Sequence, residues 1–222
     1  GQAALEPIST GYPDRVAWKR VPKSNLDEVL LTGGELWQTS AGLQNYLSPE
    51  FLDSLLNALK GHSSEYFILV HPALKVDQSS LHQLVALVED EAVAFAGGWI
   101  RDVTGRVLDA GSNLDRKGKL IFPFRRLRKQ NPGYQMLAVI ESNILAPCIH
   151  LLAGKVAAFR DSYKAGMCFL ELCMALCNRG YYNVFCPQAE GTWQSPRFPS
   201  APGSMQKQEL TKESYPVYLC DV

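Results

Sequence analysis

Between Glu65 and Ala73 the chain reads EYFILVHPA, and this stretch constrains the fold more than any other. Tyr66 to Val70 are all apolar or aromatic, and the run stops abruptly at His71-Pro72. A short apolar run bounded by turn residues reads as a fully buried strand of a parallel sheet. Pro72 has no N–H to give to a ladder, so the strand ends at His71. Ligands of open α/β sheets bind outside the carboxyl ends of the strands. His71 to Ala73 is therefore where a ligand is expected.

The flanking sequence extends this pattern. Ser48-Pro49-Glu50 has the N-cap, first-turn proline and acid of a helix start. Phe51, Leu52, Leu55, Leu56 and Leu59 follow at helical spacing, up to Gly61. Asp77 to Val88 repeats the pattern through Leu81, Leu84, Val85 and Val88, and Ala92 to Gly98 reads as a strand closing on a glycine pair. Helix, strand, helix, strand is the grammar of a parallel βαβ sheet. Upstream, Val16 to Trp18 and Glu28 to Thr32 read as two short strands.

The middle of the chain changes character. Thr104-Gly105 and Lys117-Gly118 mark turns between short alternating strands, which predicts hairpins. Arg125, Arg126, Arg128 and Lys129 form a basic cluster, readable as an anion clamp or as a solvated loop. Pro147 divides the apolar stretch from Val139 to Leu152 into two pieces. Met167 to Cys177 has helix-forming composition, ended by Asn178-Arg179-Gly180, and Tyr181 to Cys186 returns to strand. After Trp193 the composition turns to Pro, Ser, Gln and Lys, so residues 194–222 are expected to form an extended arm, with YPVYLC as one further strand.

Composition excludes several classes. A 222-residue chain with 46% hydrophobic and 20% charged residues suits one large globular domain. Net charge of +0 removes the electrostatic case for a nucleic-acid partner. No apolar run approaches the roughly 18 residues of a membrane span. Six cysteines, at 148, 168, 173, 177, 186 and 220, are too few for a disulfide scaffold, and no CxxC pair or familiar zinc spacing stands out. Buried free thiols in a reducing compartment are expected.

Taken in order, residues from about 65 to 193 resemble the later half of a family 2 glycosyltransferase of GT-A fold, of the bacterial polysaccharide or O-antigen type. The likeness rests on the Tyr66–Val70 strand, Ala96-Gly97-Gly98, and the phrase from Ile100 through Gly105, Val107, Ala110-Gly111 and Gly118. It continues through Ala146-Pro147-Cys148, Leu151-Leu152, Gly180-Tyr181 and Pro187-Gln188-Ala189. The resemblance implies an α/β, GT-A-like domain over 1–193, with a mostly parallel sheet flanked by helices and a small hairpin insertion. Residues 1–60 match the family poorly. It also implies a cytoplasmic protein of polysaccharide synthesis whose ligand is a nucleotide sugar or glycan.

The chain departs from the family where chemistry is done. The family's Asp-x-Asp, which holds a divalent metal and the diphosphate, falls on His71-Pro72-Ala73. One imidazole and a methyl are a poor site for Mg2+ or Mn2+, so no metal cofactor is expected. The family's base falls on Cys168 or Phe169, with Glu171 the one acid kept nearby; a family His falls on Trp193 and a family Arg on Ala153.

Three readings follow. In the first, the domain has lost catalysis and serves as a binding or regulatory module, with a protein partner or further domains of a longer chain. In the second, it is an active metal-independent transferase: Arg125, Arg126 or Arg128 neutralises the diphosphate, Glu171 or His71 is the base, and Trp193 stacks the ligand. In the third, it is an α/β interaction domain without ligand. His62, His82 and His150 carry no constellation in the sequence and are assigned no role.

Overall fold

The structure, a computed structural model, describes residues 30–32, 49–60, 63–114, 120–122, 124–128 and 142–195. The strand expected at Val16 to Trp18, the Ser48 cap, Gly61, the Lys117-Gly118 turn, Lys129 and all but the first residues of the C-terminal arm lie outside these.

In chain order the elements are β1 (Leu30–Thr32), α1 (Pro49–Leu59), β2 (Tyr66–Val70), β3 (Leu74–Val76) and α2 (Gln78–Val88). Next come β4 (Val93–Arg101), β5 (Val107–Asp109), β6 (Asn113–Leu114), β7 (Leu120–Ile121) and β8 (Ser142–Ile144). The last are β9 (Leu151–Lys155), α3 (Val156–Ser162), α4 (Phe169–Asn178) and β10 (Tyr182–Trp193). No helix among the described residues is long and apolar enough to cross a membrane.

The main sheet runs β1-β2-β9-β4-β10-β3, with β5 beside β4 and β8 beside β10. It is mixed, which corrects the expectation of a mostly parallel sheet. Only β1–β2 and β4–β10 pair in parallel. The other pairs of this sheet, β2–β9, β4–β9, β4–β5, β8–β10 and β3–β10, are antiparallel. The βαβ grammar did give β2 and β4 a common direction, since each runs antiparallel to β9. What it could not show is that β9, more than fifty residues later in the chain, lies between them. Periodicity reports which faces of a segment are buried and is silent about its neighbours.

Local chemistry sets the element ends. Asp77 caps α2, its Oδ1 accepting the Ser80 N–H at 2.7 Å. Gly105 takes φ 81° in the turn between β4 and β5, as the Thr104-Gly105 pair predicts. Gly180 closes α4 at φ 88°. Two strands outrun expectation. β4 continues past its glycine pair to Arg101, and β10 continues past Pro187 to Trp193. A register shift between Phe185 and Glu190 takes Pro187 out of the ladder, so its missing donor costs nothing there. Helix α3 was not foreseen; seven residues directly after a strand are too few for a periodic signal.

Two apolar layers enclose the sheet. On one face α1, α3 and α4 bring Phe51, Leu55, Phe159, Phe169 and Leu172 onto Phe67, Leu69 and Phe95. On the other, Leu84, Val85 and Val88 of α2 cover Ile68, Ile100, Ala153 and Val184. Phe67 meets Phe95 and Phe159 edge-on, with ring centroids 6.2 and 6.0 Å away.

Gly154 of β9 lies in register with both Phe67 and Phe95, on the strands either side of it. A Cβ there would stand 2.5 Å from Phe67 Cζ and 2.8 Å from Phe95 Cδ1. We expect Gly154→Ala to destabilise the chain by about 1–3 kcal/mol through overpacking. The addition of Phe67→Leu should cost less in that background than in the native one, because the clash is relieved. Denaturant midpoints of the two single variants and the double variant measure the coupling; strict additivity would contradict this account.

Candidate functional site

His71 stands where the sequence places it, at the carboxyl end of β2, and only 3% of its surface is exposed. Its N–H donates to the His150 carbonyl at 2.9 Å, and its own carbonyl accepts from Leu74 N–H at 2.9 Å. A tight turn through Pro72-Ala73 thus leads straight from β2 into β3. Nδ1 accepts the Ala73 N–H at 3.1 Å, which places the imidazole proton on Nε2.

Around His71 the strand end is packed with rings. The Trp193 indole lies 4.6 Å away, centroid to centroid, and the His150 imidazole 5.5 Å away in a T arrangement. His150 and Trp193 also meet, edge to face, at 5.8 Å. Burial pulls the His71 pKa down to about 4. Burial, and secondarily the His71 charge, pulls that of His150 to about 3. Both rings are therefore neutral at pH 7, and His71 is a feeble base there. Trp193, 4% exposed, has neighbours on its rings already.

The other sequence candidates are placed as follows. Glu171 sits in the first turn of α4, where its Oε2 accepts the Cys168 N–H at 2.8 Å in a capping box. The contacts that join His71 to Trp193 do not extend to Glu171 among the described residues. Arg125 and Arg126 are exposed on a turn held down by Phe124, whose ring lies 5.1 Å from Phe185 and 5.9 Å from Trp99. Arg126 has φ 72°, and its N–H donates to the Val107 carbonyl at 2.8 Å. Arg125 lies 5.6 Å from the Phe122 ring, and its charge is felt at Asp109, beside His150.

The sequence reading missed Asp109, Cys148 and His150. Cys148 Sγ lies 3.8 Å from His150 Nδ1, which lies 3.9 Å from Asp109 Oδ2. Cys148 and His150 are buried, and 15% of the Asp109 side chain is exposed. Burial raises the Cys148 thiol well above its usual range, with the Asp109 charge adding to it. Burial also raises Asp109, against the pull of the Gly111 N–H. The available signal was Cys-x-His at 148–150, unread because its acidic partner lies far away in sequence. Arg101 and Glu190 were also missed; they form an ion pair at 3.0 Å, with the Arg101 guanidinium 4.3 Å from the Trp99 ring.

Five cysteines lie among the described residues, with Cys148, Cys173 and Cys186 buried. No family model matches the chain, and no curated protein matches it. Among solved structures it is similar to GalNAc-T7 crystallised with UDP, GalNAc and Mn2+, at 14% identity and a TM-score of 0.45. That likeness covers 64% of this chain and 30% of the other, so the chain spans under a third of that structure. It carries no argument about activity.

If Glu171 works as a cap, Glu171→Ala should lower stability by about 1 kcal/mol, and Glu171→Gln, which keeps the acceptor, by less. Equilibrium denaturation with both variants decides; an unchanged midpoint for Glu171→Ala would return the carboxylate to the list of groups available for chemistry.

Proposed function

We propose that the chain is a glycosyltransferase-like domain, of GT-A type and nearest in pattern to family 2, that has lost sugar transfer. It acts as a binding or regulatory module of a polysaccharide-synthesis protein. The observation that carries this reading is the end of β2. Transfer from a nucleotide sugar needs the leaving diphosphate neutralised, usually by a metal on carboxylates. Where the resemblance puts an Asp-x-Asp, this chain has His71-Pro72-Ala73, and the His71 ring is packed among Trp193 and His150.

Two further observations support it. Glu171, the remaining acid near the family's base position, is engaged in capping α4. The segments that carry the resemblance also fit as elements: Tyr66–Val70 is a buried strand, Gln78–Val88 a helix, Val93–Arg101 a strand containing the glycine pair, Phe169–Asn178 a helix and Tyr182–Trp193 the last described strand. Arg125 and Arg126 are exposed, and the Arg125 charge acts on Asp109, which keeps a metal-independent anion site within the reading.

The test is calorimetric titration with UDP, dTDP, GDP and their sugars, with and without Mn2+, alongside an assay for released nucleotide. We expect no turnover, and any binding heat to be the same with Mn2+ as without it. Such heat should fall in Arg125→Ala. Nucleotide release, or binding that requires Mn2+, would overturn the proposal and restore the enzyme reading.

A further inference from the structure

Asp109, Cys148 and His150 converge from two segments: Asp109 from the end of β5, and Cys148 and His150 from the turn that precedes β9. The backbone makes this meeting obligatory. Ser112 and Ala146 exchange N–H···O bonds of 2.8 and 3.1 Å, which bring the Asp109 segment alongside the approach to Cys148. Gly111, at φ 88°, turns the chain there, and its N–H donates to Asp109 Oδ1 at 2.9 Å. That bond leaves Oδ2 as the carboxylate oxygen nearer His150. The Cys148 turn rides directly over β4, where a Cβ on Gly97 would meet Cys148 N at 2.8 Å.

We propose that Asp109, Cys148 and His150 form a zinc site, with Asp109 Oδ2, Cys148 Sγ and His150 Nδ1 as ligand atoms. The three atoms lie within 4.8 Å of one another. Zinc bonds of about 2.3 Å to sulfur and about 2.0 Å to nitrogen or oxygen separate tetrahedral ligands by about 3.3–3.6 Å. The observed 3.8 and 3.9 Å need to close by about 0.2 and about 0.6 Å, and the Asp109–Cys148 pair, within 4.8 Å, by up to about 1.2 Å. Thiolate with imidazole selects a borderline-soft ion, against Mg2+ or Ca2+.

Charge balance points the same way. On binding, the Cys148 thiol releases its proton to solvent, and one thiolate, one carboxylate, neutral His150 and a water in the fourth position leave Zn2+ with no net charge. A neutral centre is the form that a buried site tolerates. The Gly111 N–H on Asp109 Oδ1 supplies the outer contact that fixes a ligating carboxylate. Arg125 opposes a cation, but its side chain is exposed and its field is screened by water. The site adjoins the His71-Pro72-Ala73 turn through His150, which packs 5.5 Å from His71, but it shares no ligand with that turn, and its test does not depend on sugar transfer.

The test uses the whole 222-residue chain, stripped by chelator and titrated with Zn2+ alone against a chromophoric competitor, then with Co2+. The expected result is one equivalent of Zn2+ per chain and a tetrahedral Co2+ spectrum with charge transfer from one thiolate. Cys148→Ser should abolish that charge-transfer band. It should also weaken Zn2+ binding by about 100-fold or more, since changes to outer-sphere partners alone cost 10–100-fold. The double variant Cys173→Ser, Cys177→Ser should alter neither. No uptake by the native chain, or uptake and a thiolate band that survive Cys148→Ser, would overturn the proposal. Should the serine variant not fold, the native Co2+ spectrum decides alone: one-thiolate intensity supports the site, and two or more thiolates overturn it.

Discussion

The rest of the structure depends on the burial of β4. All nine residues from Val93 to Arg101 are buried, because β9 and β10 pair along its two sides and helices cover its faces. A strand so enclosed has room for other backbone only where its own side chains are missing. Gly97 and Gly98 provide that room. A Cβ on the first would collide with Pro147 and Cys148, and on the second with the Ala189 carbonyl 2.5 Å away. The glycine pair that looks in sequence like a strand end is the place where two later segments cross the strand.

That crossing arranges the site. With the Pro147–Cys148 turn pressed on Gly97, β9 starts beside the end of β2, and the His150 carbonyl receives the His71 N–H. The bulge at Pro187 lets β10 go on to Trp193, whose indole then reaches His71. Two imidazoles and an indole, drawn from three strand ends, exclude water from one another and stay uncharged at neutral pH. A carboxylate pair could not persist in such a setting without a cation. The uncharged His71-Pro72-Ala73 turn suits the rings packed over that strand end.

Much of the fold was legible in the residues. The Tyr66–Val70 strand, the helices at Pro49–Leu59 and Gln78–Val88, the turn at Gly105 and the division at Pro147 follow from periodicity and turn chemistry. These act over a few neighbouring residues. Of the candidate site, His71 was legible as a position from Pro72, and Trp193 was a candidate through the resemblance, where a family His falls on it. Their contact was not legible, because nothing local says that β10 survives Pro187. Glu171, an acid on an otherwise apolar helix that had to be paired or face water, finds its partner at the helix's own N-terminus three residues back.

The sequence alone therefore determined which segments are buried, where they turn and in which direction β2 and β4 run, since each of these follows from side-chain transfer and backbone sterics within one segment. Only the tertiary structure decided that β9 separates those two strands and that the sheet is mixed. It alone made neighbours of Asp109 and the Cys148–His150 turn. Such meetings depend on the backbone pairing of distant segments, as at Ser112 with Ala146. Every residue except proline offers the same main-chain N–H and C=O, so which distant segments pair leaves little mark in the amino-acid sequence.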